Sequence, residues 1–324
     1  MLKEHFKLIS GTANRKLAEE VAKILKVPLT PVEIKRFYDG EIYCRVLESV
    51  RGCDVFIIQP TSPDANLNLM ELLIMVDALK RSSPDKITAV IPYYGYCRQD
   101  KKTKPREPIT SKLVANMIQT AGVSRVIMFD LHVPQVQGFF DIPSDNLEVT
   151  PLFGEYIANK KLKNIVVVSP DAGGAARARE FGKIFHVPIA IIDKRRPEPN
   201  VAAVEHVIGD VKGKTAVIVD DLIDTAGSIT ESASILLKFG AKGVYALATH
   251  GVLSNPAIER ISKSPLKEVI VTNTINIIKE KRINKLKVIS IAPLLAETIK
   301  RTHEGLPMGI VYEQMYKDVE RKIK

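Results

Sequence analysis

The chain has 324 residues, about twice a usual domain, with 45% hydrophobic and 26% charged residues and a formal net charge of +10. That balance excludes a disordered or collagenous chain, and no apolar run approaches the roughly 18 residues of a membrane span. Tryptophan is absent and aromatics make up only 6%, so the charge predicts a polyanionic partner and leaves nucleic acid and a phosphorylated small molecule both open.

In chain order, short β-branched runs predict strands at Leu8-Ile9, Val55–Gln59, Thr88–Pro92 and Arg125–Asp130. They continue at Ile165–Ser169, Ile189–Asp193, Ala216–Asp220 and Val244–Thr249. Between them, Asn66–Lys80 and Ser228–Phe239 carry apolar residues at helical spacing. Unalternated apolar strands alternating with helices predict α/β domains, each a mainly parallel sheet flanked by helices, with ligands beyond the carboxyl ends of the strands. The two halves also resemble each other. KILKVPL at 23–29 returns 160 residues later as KIFHVPI at 183–189, and Arg51–Ile58 parallels Lys212–Val219. A tandem of two related domains is expected, over 1–147 and 148–304, with a tail, 305–324, packing back on the first. Met1–Phe6 holds no apolar stretch of signal-peptide length. Cys44, Cys53 and Cys97 are odd in number and lack metal-ligand spacing, which predicts reduced thiols in a cytoplasmic protein.

The most informative stretch is Thr215–Ile229. A buried strand ends in Asp220 and Asp221, and Asp224-Thr-Ala-Gly-Ser228 leads into a helix. Small residues at a helix start leave backbone amides to an anion, and Thr225 and Ser228 add hydroxyl donors. Carboxylates just ahead of such a cradle suit the hydroxyls of a sugar whose phosphate lies deeper. A strand end followed by an ordinary helix cap would account for one acid, not three in five positions. Gly209-Asp-Val-Lys-Gly-Lys-Thr215, by contrast, lacks P-loop spacing and precedes a strand, so it is read as a turn.

This stretch resembles the ribose-phosphate motif of type I phosphoribosyltransferases and of phosphoribosyl pyrophosphate synthases. Phe37–Glu41, Tyr96–Lys102, Asp130–His132, Gln137–Pro143, Ser169–Gly174 and Lys194–Pro197 are similar to signatures of the second family, in its order. The resemblance runs from about residue 8 to residue 305. It implies two tandem phosphoribosyltransferase type I-like domains and transfer of diphosphate from MgATP to ribose 5-phosphate.

By the same resemblance Lys194 and Arg196 are the catalytic cations. Phe37, Asp39, Gly40, Glu41, Arg98, Gln99, Asp100 and His132 bind ATP, and His132 and Asp171 ligate Mg²⁺. Asp171, Gly173 and Gly174 form the diphosphate loop. Arg196, Asp220, Asp221, Asp224, Thr225, Ala226, Gly227 and Ser228 bind ribose 5-phosphate. The implied partners are the two substrates and further copies of the chain, commonly in a hexamer, with neither nucleic acid nor membrane. Two departures stand out: Ser228 where the family most often has Thr, and Pro307 and Gly309 after His303 where serines complete a regulatory anion site.

Overall fold

The structure, a computed structural model, describes residues 5–195 and 204–323, without the side chains of residues 194, 195, 204 and 205. Its elements begin with β1 (Phe6–Ser10), α1 (Arg15–Leu25), β2 (Val32–Arg36), β3 (Ile42–Val46), β4 (Asp54–Ile58), α2 (Ala65–Lys80) and β5 (Lys86–Ile91). They continue with α3 (Thr110–Ala121), β6 (Arg125–Phe129), β7 (Ser144–Leu147), α4 (Thr150–Lys160), β8 (Ile165–Ser169), α5 (Ala175–Phe185), β9 (Ile189–Arg195) and β10 (Val204–Ile208). The remainder is β11 (Thr215–Ile223), α6 (Gly227–Lys238), β12 (Gly243–Gly251), α7 (Ala257–Lys263), β13 (Glu268–Thr272), β14 (Leu286–Ile289), α8 (Ala292–Glu304) and α9 (Gly309–Ile323).

The chain forms two compact units. One holds the described residues within 1–148 with 273–276 and 290–308; the other holds those within 149–272, 277–289 and 309–324. The first unit carries a parallel sheet in the order β1-β4-β5-β6-β7 and a separate β2-β3 hairpin. The second carries the order β10-β9-β8-β11-β12-β13-β14, parallel except for the β9-β10 pair. Val166, Val167 and Val168 on β8 are all fully buried, as are Val55, Phe56 and Ile57 on β4. Successive side chains point to opposite faces, so both faces of each sheet are covered.

The repeat is visible at equivalent helix ends. Lys26 and His186, 160 residues apart, both end their helices in the left-handed conformation, at φ +57° and +52°. The amides of Val27 and Val187 then close onto Ala22 O and Gly182 O at 3.1 Å in each case.

The tail differs from expectation. Residues 290–308 join the first unit, where α8, with Leu294, Leu295 and Ile299 buried, packs on α1, which buries Leu17, Val21 and Ala22. Helix α9 packs on α4 and α5 of the second unit, not on the first. Its buried Val319 needs Gly154 of α4 opposite, where an added Cβ would lie 3.2 Å from the valine methyl. An amphipathic helix shows which of its faces wants burial, not where the complementary face lies.

Candidate active site

In the second unit β8 is flanked by β9 on one side and β11 on the other, all parallel, so their carboxyl ends share one edge of the sheet. The chain runs from β8 outward to β9, then returns to the opposite side of β8 as β11. That reversal opens a crevice between the loops after β8 and β11, the place where such sheets take ligands.

The loop after β8 is built for close backbone approach. Asp171 Oδ1 accepts the Gly174 amide at 2.9 Å, and Ser169 Oγ donates to Asp171 O at 2.6 Å. A Cβ on Gly174 would stand 2.7 Å from Ser169 Oγ, so a larger residue there would displace the hydroxyl that bonds Asp171 O. Asp171 and Gly173 are exposed, open to a ligand.

The loop after β11 begins with the acid pair. Asp221 is buried, Asp220 half-buried, and Asp220 Oδ1 accepts the Asp221 amide at 2.9 Å. Arg177, in the first turn of α5, brings its guanidinium to 3.4 Å from Asp221 Oδ1 and 3.8 Å from Asp220 Oδ1. Ala226 then turns left-handed, at φ +61°, and α6 starts at Gly227 with no side-chain cap, leaving the amides of its first turn to an anion. Thr225 and Ser228 are exposed beside it, and Arg260 of α7 donates to Thr225 O at 3.0 Å.

Burial first, and then the neighbouring Asp221 carboxylate, push the Asp220 carboxyl up to about 8, while Arg177 pulls it down. Folded protein therefore holds a proton on Asp220 that the unfolded chain has lost, and stability falls as pH rises from about 4 to about 8. Asp220→Asn removes that dependence. Thermal unfolding of the ligand-free protein should show the wild type losing ground to the variant across this window; parallel curves would mean that Asp220 is ionised throughout.

The first unit presents Phe37, Asp39, Gly40 and Glu41 on the exposed β2-β3 turn. Phe37 N–H donates to Glu41 O at 2.9 Å, Gly40 sits at φ +96°, and Asp39 Oδ1 accepts the Glu41 amide at 3.1 Å. Asp39 thus serves the turn itself. Arg98 and Gln99 are exposed and Asp100 half-buried; Gln99 Oε1 accepts the Thr110 hydroxyl at 2.6 Å. His132 is half-buried just after Asp130, whose φ is +33°.

The first unit's counterpart of the Asp171–Gly174 loop is Gly11-Thr-Ala-Asn14, 160 residues earlier, and it is filled from within. The buried Glu71 of α2 accepts the Thr12 amide at 2.7 Å, the Thr12 hydroxyl at 2.6 Å and the Gln59 amide at 2.8 Å. Gln59 follows β4 as Asp220 follows the first five residues of β11, and its Oε1 accepts the Ala13 amide at 3.1 Å. After α1 the chain makes one bridge to β1, Leu8 to Leu29, then leaves the sheet as the hairpin, so the β9-like strand order is not repeated.

The model for the N-terminal domain of ribose phosphate pyrophosphokinase matches residues 6–122, and that for the phosphoribosyl synthetase-associated domain matches 196–313. The ribose-phosphate pyrophosphokinase of Bacillus subtilis (strain 168) is 55% identical over 309 residues, 95% of this chain and 98% of that protein. The chain belongs to the ribose-phosphate pyrophosphokinase family. The Clostridium tetani member is 54% identical over 96% of this chain and 98% of its own length. The crystal structure of phosphoribosylpyrophosphate synthetase from Mycobacterium smegmatis superposes with a TM-score of 0.89, at 46% identity over 93% of this chain and all of that one.

In this chain the second unit gathers Asp171, Gly173, Gly174, Asp220, Asp221, Asp224, Thr225, Ala226, Gly227 and Ser228 on the two loops of one crevice. Lys194 is the last but one residue of β9, toward the carboxyl end of the strand, its side chain undescribed, and Arg196 lies outside the described residues. Phe37–Glu41, Arg98–Asp100 and His132 all belong to the first unit. Among the described residues no cluster of three or more His, Cys, Asp or Glu forms a metal cage. Asp171 commits one carboxylate oxygen to Gly174, which leaves the other for an ion. One carboxylate and one imidazole fit Mg²⁺ only as minor ligands of an ion held mostly by substrate phosphates. Sequence reasoning missed Arg177, Arg260 and Glu71. Glu71 alone left a trace: a carboxyl on the apolar face of α2, between the buried Asn68 and Leu72.

Proposed function

We infer that this chain is a ribose-phosphate diphosphokinase, moving the diphosphoryl group of ATP to the anomeric hydroxyl of ribose 5-phosphate to give 5-phosphoribosyl 1-diphosphate and AMP. What carries the reading is the acid pair followed by an uncapped, glycine-bearing helix start at the switch point of the second sheet, in a chain of this family. The amides of Ala226, Gly227 and Ser228, with the Thr225 and Ser228 hydroxyls, hold the 5-phosphate. Asp220, Asp221 and Asp224 take the ring hydroxyls and orient the anomeric oxygen. The open amides around Gly173 and Gly174 receive the diphosphate.

The attacking oxygen bonds to the β-phosphorus as its bond to the α,β-bridging oxygen breaks. Such a transfer needs positioning and charge neutralisation more than a covalent nucleophile. Lys194 and Arg196 supply positive charge where negative charge gathers. Mg²⁺ would be held chiefly by ATP, with His132 and Asp171 as protein ligands, and supplies further neutralisation of the phosphates. Phe37 and Arg98 stack on adenine, with Glu41, Gln99 and Asp100 offering hydrogen bonds.

The hairpin turn, with Phe37 56% exposed and Tyr38 wholly so, supports a site completed by a second copy, in a homo-oligomer of the hexameric kind. The three free cysteines support a cytoplasmic setting. Among the described residues no helix is long and apolar enough to cross a membrane.

Mixing the protein with MgATP and ribose 5-phosphate should release AMP in step with the sugar diphosphate; ADP as the product overturns the reading. Steady-state kinetics should also separate the two sites. Asp224→Asn and Ser228→Ala are expected to raise the KM for ribose 5-phosphate about tenfold and leave that for ATP nearly unchanged, while Glu41→Ala does the reverse. An unchanged ATP affinity in Glu41→Ala would remove the hairpin from the ATP site.

A further inference from the structure

We propose that Arg260 is a positioning residue that turns the Thr225–Ala226 peptide so that its N–H faces the sugar phosphate. The proposal rests on reading residues 224–228 as the ribose-phosphate loop. Arg260 Nη1 donates to Thr225 O at 3.0 Å, and a Cβ added to Gly227 would lie 3.3 Å from the same nitrogen. Nη1 of the guanidinium therefore lies against the loop.

A trans peptide is planar, with its C=O and N–H pointing in opposite directions. Pinning Thr225 O toward Arg260 turns the Ala226 N–H away from it, toward the interior of the loop. Something has to hold that orientation, because Ala226 sits at φ +61°, which an L-residue with a Cβ adopts only at a cost. Rotating the peptide by half a turn would return Ala226 to negative φ and withdraw its N–H from the phosphate. Arg260 opposes that rotation with a charge-assisted hydrogen bond.

The arginine is itself well anchored. Helix α7 buries Ala257 and Ile261 completely on either side of it. Its neighbour Glu259 pairs with Lys263 at 2.6 Å, and among the described residues no carboxylate lies within ion-pair distance of Arg260. Arg260 is itself exposed, with its charge felt by the adjacent Glu259 as well as by the loop.

Arg260→Gln is expected to raise the KM for ribose 5-phosphate roughly tenfold, with the KM for ATP unchanged and kcat at saturation within about threefold. Calorimetric titration with ribose 5-phosphate alone should show the same loss of affinity. The discriminating variant is the double change Arg260→Gln with Ala226→Gly. Glycine tolerates positive φ, so it removes the drive to rotate the peptide and should restore much of the lost affinity. No recovery in the double variant, or an unchanged KM in Arg260→Gln, overturns the latch. A lower unfolding temperature with unchanged KM would make Arg260 a structural residue only, and also overturns it. If Ser228→Ala and Asp224→Asn leave ribose 5-phosphate binding intact, the loop assignment fails instead; if they weaken it and Arg260→Gln does not, only the latch does.

Discussion

Replacing Lys194 with alanine is expected to lower kcat at least about 100-fold while the KM for ATP changes by no more than a few fold. As the β-phosphorus passes between oxygens, the negative charge of the diphosphoryl group and the departing AMP has to be met in a crevice whose own loops hold Asp171, Asp220, Asp221 and Asp224. Arg177 is already engaged by the acid pair. Strand β9 runs parallel to β8, and its last pairing with it joins Ser169 to Ile191. The strand continues beyond that pairing to Arg195, and there Lys194 pairs with Glu205 of β10. A cation whose role begins as charge moves stabilises the transition state more than bound ATP, so its loss falls on kcat. Single-turnover measurement of AMP formation isolates the chemical step. Near-normal rates in that assay would make Lys194 part of a solvated turn.

Most of the buried strands were legible because parallel strands covered on both faces read as unbroken apolar runs, as in Val166–Val168, although Val269–Val271 of β13, equally buried, was not among the expected strands. Nor did the sequence show β7, whose residues Ser144–Leu147 are mostly polar and pair only at the sheet edge. The two candidate loops were readable as loops after β8 and β11 as well, since glycine and paired carboxylates have few purely structural uses at a strand end. Their supports were not. Arg177 and Arg260 are single arginines on amphipathic helices, and nothing local distinguishes them from the exposed Arg179 or Lys263. Their partners come from elements distant in sequence: Asp221 lies 44 residues from Arg177, and Thr225 lies 35 from Arg260.

The internal repeat carried more than domain count. Its register of 160 residues, kept at the caps of Lys26 and His186, sets Gly11–Asn14 against Asp171–Gly174. One loop is exposed at Asp171 and Gly173 and the other is closed by the protein's own carboxyl group. The strand order explains why. Only the second sheet keeps the β8-β9 pairing that creates a crevice, whereas in the first the equivalent hairpin departs after a single bridge and becomes the exposed turn at Phe37–Glu41.

The closed loop gives the largest expected effect on stability. Glu71→Ala removes the acceptor for the Thr12 amide, the Thr12 hydroxyl and the Gln59 side chain. Thr12 is exposed and can turn to water, but Gln59 is fully buried and would keep an unsatisfied donor. An orphaned buried donor costs about 1–3 kcal/mol, and the lost bonds and the cavity add to it, so a total near ~3 kcal/mol is expected. Gln59 also holds the Ala13 amide, and Gly11 approaches it so closely that a Cβ would stand 2.2 Å from Gln59 Oε1. Movement of Gln59 therefore disturbs the whole start of α1. Glu71→Gln keeps one acceptor oxygen and the volume, and should cost less. Urea unfolding of both variants measures the difference. The same proteins assayed below their unfolding transition should keep the wild-type KM for ribose 5-phosphate if, as proposed, the sugar phosphate is bound in the second unit. A Glu71→Ala variant of normal stability, or one whose ribose 5-phosphate KM rises while the fold is intact, would overturn the view of Gly11–Asn14 as a cradle sealed by its own chain.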